Sequence, residues 1–441
     1  MTRSNRIKHL LQQERSTRER IKLLFPEESE ALASLRDRLP VTLVLGSPRG
    51  GTSPFKAALS KHRAFLTLAG EHRLFFTLLG LNYPDYGGEE ESLNRPLSPE
   101  QNAELLDMIF SRAFINQPVL IPDHEEQLRY AWEWAYRLPL QWSSCDINPD
   151  DVVARVLTAT RHFAASDSYD SSYLDELVFQ QLEHQYPWFQ REFYDGYTLS
   201  DDSVQHWPSL RHAGITPVIE ITPFVVPRPR KLLRHDSQVA SILLKASSDP
   251  YRFELLRILF QNRPLNIIRL TRNPLSSCNG LLDGWKHSCF WQHDLSDIFS
   301  PNHFAAGWCF DLYPGWKQAH HQTLLDVVGQ QWVDSNRTIE ACRATPLPDE
   351  QWLHCHFEDF IRSAQSRESL LLEVTRALNL PEDADFSSSL SHNEVVNSTK
   401  PAKNRRWVFR QTTLLPLLDN QEIANMAEAM GYQIDEIDNW L

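Results

Sequence analysis

The stretch Thr42–Lys56, TLVLGSPRGGTSPFK, decides the architecture. Together with the preceding valine, Val41–Leu45 is a compact apolar run bounded by Pro40 and Gly46, the pattern of a strand buried on both faces of a parallel sheet. Gly46, Gly50 and Gly51 then permit a tight turn. A helix is predicted next, with Thr52 or Ser53 near its cap, Pro54 in its first turn, and Phe55, Ala58 and Leu59 on one face. Strand, glycine turn and helix N-terminus make an anion cradle, because backbone N–H groups and the positive end of the helix both favour negative charge. A nucleoside triphosphatase loop carries a lysine just before the hydroxyl that binds magnesium. Here Gly51 stands in that lysine's place, and Arg49 offers a guanidinium fork suited to oxyanions. No strand read elsewhere ends in the aspartate that would hold magnesium, so chemistry without metal is expected.

Working outward, 441 residues with 41% hydrophobic side chains supply a large core. The apolar runs are short and interrupted, and the N-terminus is too charged for a secretory or membrane segment, which makes the cytoplasm the expected location. The net charge of −13 argues against nucleic acid and anionic membranes as partners, so positive charge for an anion site has to be local. The six cysteines contain no C-x-x-C pair and are expected to be reduced and mostly buried.

Three regions are distinguishable. Residues 1–40 carry apolar positions at helical spacing (Ile7, Leu10, Leu11, Ile21, Leu24) and predict amphipathic packing helices. Residues 41–84 and 236–441 read as an α/β core with a central parallel sheet flanked by helices. Its strands are predicted at Val41–Leu45, Ser241–Lys245, Leu265–Leu270 and Trp352–Phe357, and its helices at Pro250–Phe260 and Leu370–Leu380. Between them, residues 85–235 form a mostly helical insertion rich in aromatics, as in RYAWEWAYRLPLQW, closed by the proline-rich Ile221–Lys231 and expected to cap the acceptor side.

PRGGTS resembles the PRSGTT or PRSGTS loop of sulfotransferases that use 3′-phosphoadenosine 5′-phosphosulfate, a loop that cradles the 5′-phosphosulfate. Four further segments match in order. Ile268–Leu275 resembles the family's strand ending in R-[DN]-P, whose arginine binds the 3′-phosphate, and Leu244–Ser247 resembles the lysine-bearing strand upstream of it. His356–Phe360 is similar to the family's Y-E-D-L segment, and Asn397–Lys400 through Arg406-Trp407 to its C-terminal basic loop. The resemblance implies a P-loop-like sulfotransferase fold of the bacterial or tyrosylprotein type, with adenosine 3′,5′-bisphosphate as product. It assigns Arg49, Gly50, Gly51, Thr52 and Ser53 to the phosphosulfate, Arg272 to the 3′-phosphate, and Arg406, Trp407 and Lys403 to the closing loop. A serine usually follows the 3′-phosphate arginine by eight residues; that position is Gly280 here, leaving Asn279, Ser277, Ser276 or the Gly280 N–H for the contact.

Sulfuryl transfer to a hydroxyl needs cations for the leaving oxygen and a base for the proton. Arg49 and Lys245 are the candidate cations, both placed where a parallel sheet gathers its ligands. Ala69–Arg73, AGEHR, resembles the G-E-x-R element that carries the catalytic glutamate in tyrosylprotein-type enzymes, which makes Glu71 the candidate base and His72 its reserve. The plain alternative for Glu71 is an N-terminal helix charge. Alternatives for the whole protein are a P-loop nucleotide kinase or hydrolase, or a non-catalytic binding protein with this fold. His354-Cys355-His356 alternates along a strand but has no further ligand at metal-site spacing. Leu281–His287 with Phe290, Trp291 and His293 lines an acceptor pocket or packs as aromatic core. The acceptor is expected to be hydroxylated; its class and the oligomeric state are not written in these motifs.

Overall fold

The computed structural model describes residues 2–93, 95–116, 123–166, 170–194, 219–229, 239–287, 290–390 and 403–441. Cys289, Lys231, the Asn397–Lys400 part of the basic segment and parts of the predicted insertion lie outside the described residues.

The strands are β1 (Val41–Leu45), β2 (Phe65–Thr67), β3 (Ser241–Leu244), β4 (Leu265–Thr271), β5 (Gln292–Asp294), β6 (Gly307–Cys309) and β7 (Glu350–His356). Five form a parallel sheet in the order β2-β3-β1-β4-β7, and β5 and β6 pair as a separate antiparallel ribbon. The fold is therefore α/β with a central parallel sheet, as expected. β1 has its expected bounds, and β3, β4 and β7 differ from expectation by one or two residues at their ends. β2 was not foreseen, since three residues are too few to show a period.

Helices α1 (Arg3–Leu24) and α2 (Pro26–Arg36) precede the sheet. They are followed by α3 (Thr52–Leu59), α4 (Arg73–Leu78), α5 (Pro99–Ser111), α6 (His124–Gln141), α7 (Pro149–Ala164) and α8 (Ser171–Gln185). Beyond β3 come α9 (Asp249–Leu259), α10 (Pro274–Trp285), α11 (Leu324–Arg343), α12 (Phe357–Arg362) and α13 (Ala364–Ala377).

Alternation of side chains along the strands divides the core. Leu43, Leu45, Ile242, Leu244 and Ile267 face a layer built from α1, α2 and α4 to α9, whereas Val44, Leu243, Ile268 and Leu270 face Phe55, Leu59, Phe357, Phe360 and Leu371. The helices of the insertion thus share one apolar core with a face of the sheet. A third cluster joins α10, the β5–β6 ribbon, α11 and the C-terminal segment through Trp285, Trp308, Trp316, Trp332 and Trp407. The aromatics that follow the β4 signature are mainly this packing. Helix α1 is less peripheral than its charges predict, because Glu14 and Arg18 pair with each other inside the fold and Tyr136 donates to Glu14 at 2.8 Å.

Among the described residues no helix is long and apolar enough to cross a membrane. The five described cysteines are free, Cys145 half-buried and the others buried.

Candidate functional site

The parallel order brings five C-terminal strand ends to one edge. β1 runs into the glycine loop, β2 leads to Glu71, β3 to Lys245, β4 to Arg272 and β7 to Phe357. The chain leaves β1 toward one side of the sheet and β4 toward the other, so a crevice opens between these neighbours, the position where open α/β sheets gather ligands. Arg272 spans it, its Nη1 donating to the Arg49 carbonyl at 3.1 Å.

The loop is held by close backbone contacts. Gly51 sits at φ 90°, and a Cβ there would fall 2.4 Å from the Phe357 ring. A Cβ on Gly46 would meet the Leu270 carbonyl at 2.7 Å. Arg49 itself adopts φ 61°, a left-handed conformation that costs a non-glycine residue about 1–2 kcal/mol and tends to persist at functional turns. Its side chain runs along α10: a Cβ on Gly280 would lie 3.0 Å from the Arg49 Cβ, and the guanidinium stands 5.6 Å from the Phe290 ring centre. A side chain at 280 would crowd the loop arginine by a few tenths of an ångström.

On the other flank Lys245 Nζ donates to Ser53 Oγ at 3.0 Å and to Glu71 Oε1. The Ser247 N–H donates to Glu71 Oε2 at 3.1 Å. Burial pushes the Glu71 carboxyl up, but the Lys245 charge and hydrogen bond, the Ser247 N–H and the Arg73 charge outweigh it and hold the carboxyl below its ordinary range. His72 is fully buried at the start of α4, its Nε2 2.9 Å from Asp249 Oδ1, and Asp249 Oδ2 accepts from the Ala246 N–H at 2.6 Å. The imidazole thus lies against the β3–α9 turn, and neither of its ring nitrogens makes a well-directed hydrogen bond among the described residues.

Beyond β4, Asn273 caps α10 and bonds Glu358 through its own N–H and side chain at 2.9 and 2.7 Å. Arg272 lies 5.0 Å from the Phe357 ring centre, and its buried Nε has no hydrogen-bond partner among the described residues. Of the residues considered in place of the missing serine, Ser276 donates to a Leu441 oxygen at 2.7 Å, Asn279 accepts from Arg410 at 3.0 Å, and the buried Ser277 hydroxyl has no partner among the described residues.

The C-terminal segment reaches the same helix. Arg406 and Arg410 both pair with the buried Asp283 of α10, and Trp407 is buried between them in sequence. Lys403 lies instead over the Phe409 ring, which is 76% exposed. The structure therefore brings Glu71, Lys245 and Ser53 together on one side of the loop. Arg49, Arg272, Gly280 and Asn279 lie on the other, with Arg406 tied to the far end of α10 and Lys403 turned toward solvent.

Ser247, Phe357 and Arg410 enter the site without having been singled out for a role. Arg410 had a legible signal in its four-residue spacing from Arg406. Phe357 stood at the predicted end of its strand and in the His356–Phe360 segment, but nothing local showed that its ring would lie against Gly51. Behind the site Glu91 is wholly buried and binds Arg73 at 2.9 Å and Arg252 at 2.6 Å, with His293 at 3.6 Å. A cavity of about 20 Å³ beside Glu71, lined by Arg112, Glu133, Tyr136 and Arg137 among others, has room for a water molecule and not for an acceptor. His354 and His356 both lie within 3.2 Å of the Thr271 hydroxyl, and no group of three or more histidine, cysteine, aspartate or glutamate side chains among the described residues is arranged to hold a metal.

No protein-family model and no curated protein match the chain. Among solved structures, the sulfotransferase domain from the curacin biosynthetic pathway is similar at 13% identity and a TM-score of 0.35, over 90% of this chain and 99% of that one. Sulfotransferase STF9 from Mycobacterium avium is similar at 11% identity and a TM-score of 0.34, over 90% of this chain and 78% of that one. At such values the likeness bears on neither donor nor acceptor.

Proposed function

We propose that this protein is a sulfotransferase that moves a sulfuryl group from 3′-phosphoadenosine 5′-phosphosulfate to an acceptor hydroxyl without a metal. The observation that carries the reading is the Lys245 bridge between Ser53 of the glycine loop and the Glu71 carboxylate, which sets a cation and a base side by side at an anion cradle. The loop residues Arg49, Gly50, Gly51, Thr52 and Ser53 hold the phosphosulfate. Arg272, whose Nε lacks a partner among the described residues, serves the 3′-phosphate with the Asn279 or Ser277 side chain, because the Gly280 N–H lies inside α10 and is taken up by the helix's own hydrogen bonds; Arg406, Trp407 and Lys403 close that side.

Glu71 takes the proton from the acceptor hydroxyl as the acceptor oxygen bonds to sulfur. The bond from sulfur to the 5′-phosphate oxygen breaks, and adenosine 3′,5′-bisphosphate leaves with the charge on that oxygen. Lys245 and Arg49 neutralise the growing charge. Lys245 has a second effect: while it pairs with Glu71 it weakens the base, and when it turns to the leaving oxygen the buried carboxylate loses its counter-charge and gains basicity.

Calorimetry with adenosine 3′,5′-bisphosphate at low salt tests the donor end. Saturable binding that Arg49→Ala abolishes is expected; no heat at millimolar concentration overturns the reading. Transfer of labelled sulfate to an acceptor panel, undiminished by a chelator, tests the reaction.

A further inference from the structure

Helix α3 carries a second lysine that the mechanism above does not use. Lys56 lies one turn beyond Ser53 on the same face of α3, is only 9% exposed, and donates from Nζ to the carbonyl of Leu68, just before the Gly70-Glu71 turn. No carboxylate stands within salt-bridge distance of it among the described residues. A buried lysine normally has such a partner, and a neutral side chain of equal length would tie the Leu68 carbonyl at less cost. The charged groups that act on it are Lys245 after β3, Glu71 after β2 and Arg137 on α6. Burial first, then the Lys245 and Arg137 charges, draw its ammonium down to about 7, with Glu71 opposing.

We propose that Lys56 is a proton-dependent cation of the anion loop: its buried amine takes up a proton when an oxyanion fills the loop, which ties anion affinity to pH. The proposal rests on the reading of the loop as an oxyanion site. An anion brought beside Ser53 favours the charged form of a lysine one turn away, so binding and protonation strengthen each other. The sign is fixed by linkage. Above the pKa of the empty site and below the raised pKa of the filled one, binding takes up a proton, and affinity falls as pH rises.

The test is calorimetric titration of the full chain with adenosine 3′,5′-bisphosphate at pH 8, in two buffers of different ionisation heat. The ligand's phosphates, with second pKa values of about 6, do not titrate at that pH. Proton uptake of up to about one per site is expected for the wild type, with affinity falling by up to about tenfold per pH unit above pH 7. Lys56→Arg, which stays charged, is expected to bind with no such uptake and a flat pH dependence. Lys56→Met is expected to bind more weakly at pH 7 and also flat. All three share Lys245, Glu71 and Arg137, so the difference isolates Lys56. Equal uptake and equal slopes in wild type and Lys56→Arg overturn the proposal while leaving the donor site intact, and this comparison stands even if the methionine variant fails to fold. Absence of binding in the wild type overturns the oxyanion reading itself, and the proposal with it.

Discussion

At the scale of single residues, the strength of Glu71 as a base is set by Lys245. Both of its oxygens are engaged, one by Lys245 and one by the Ser247 N–H, so the resting carboxylate is a weak base below its ordinary pKa range. Glu71→Gln keeps the shape and removes the proton acceptor. Turnover is expected to drop by about two orders of magnitude or more, with unchanged affinity for adenosine 3′,5′-bisphosphate. Steady-state kinetics beside calorimetry check this, and normal turnover would move the base elsewhere. Lys245→Met removes the counter-charge that opposes burial. The acid limb of the kcat/KM profile is then expected to move to higher pH than in the wild type, besides the fall in rate from losing a leaving-group cation.

At the scale of elements, the glycine loop depends on neighbours far away in sequence. Gly51 is required twice, by its φ of 90° and by the Phe357 ring that α12 lays against it. Gly51→Ala is expected to destabilise the protein by about 1–3 kcal/mol and to abolish anion binding. Phe357→Leu in the same chain should return part of the stability, since it relieves the clash and not the φ. A double-mutant cycle by urea unfolding measures that coupling, and strict additivity would show that the ring does not press on the loop. Gly280→Ser, which restores the serine of the resembling family, is expected to weaken donor-product binding because its Cβ would crowd Arg49 at 3.0 Å. Calorimetry showing tighter binding would mean that the serine contact outweighs this crowding.

At the scale of the whole molecule, a buried charge network joins two of the cores. Glu91 binds Arg73 of α4 and Arg252 of α9, and its N–H donates to the Leu312 carbonyl at 3.0 Å. Burial pushes its carboxyl up, yet Arg73, His293 and Arg252 outweigh that and hold it well below the ordinary carboxylate range. A depressed folded-state pKa contributes stability above the unfolded value, and that stability is lost as pH falls through the folded one. Glu91→Gln leaves the buried Arg252 without its carboxylate and Arg73 with only Asp311 at 3.9 Å, and is expected to cost about 3–5 kcal/mol at pH 7, with the gap to the wild type narrowing in acid. Thermal melts across pH follow this, and a constant gap would assign the loss to packing.

The strand, glycine turn and helix of Val41–Leu59 were legible because each depends on its own few residues: apolar runs, left-handed backbone that glycine allows, and a proline in the first turn. The parallel core was legible for the same reason, whereas Glu71, Lys245, Arg49 and Arg272 were singled out mainly by motif resemblance, and the structure brings all four to the same edge of the sheet. What the local pattern could not contain is which strand ends become neighbours. The order β2-β3-β1-β4-β7 arises from long-range pairing, and it sets Lys245 against Glu71 across 174 residues, Phe357 against Gly51 and Arg410 against Asn279. Burial is likewise a property of the assembled layers, so the lone ammonium of Lys56 and the enclosed Glu91 read as ordinary charges in sequence. Hydrogen-bonding and charge balance inside a protein depend on distances and desolvation that exist only once the sheet has closed, whereas turns and helix starts are decided within one or two turns of chain.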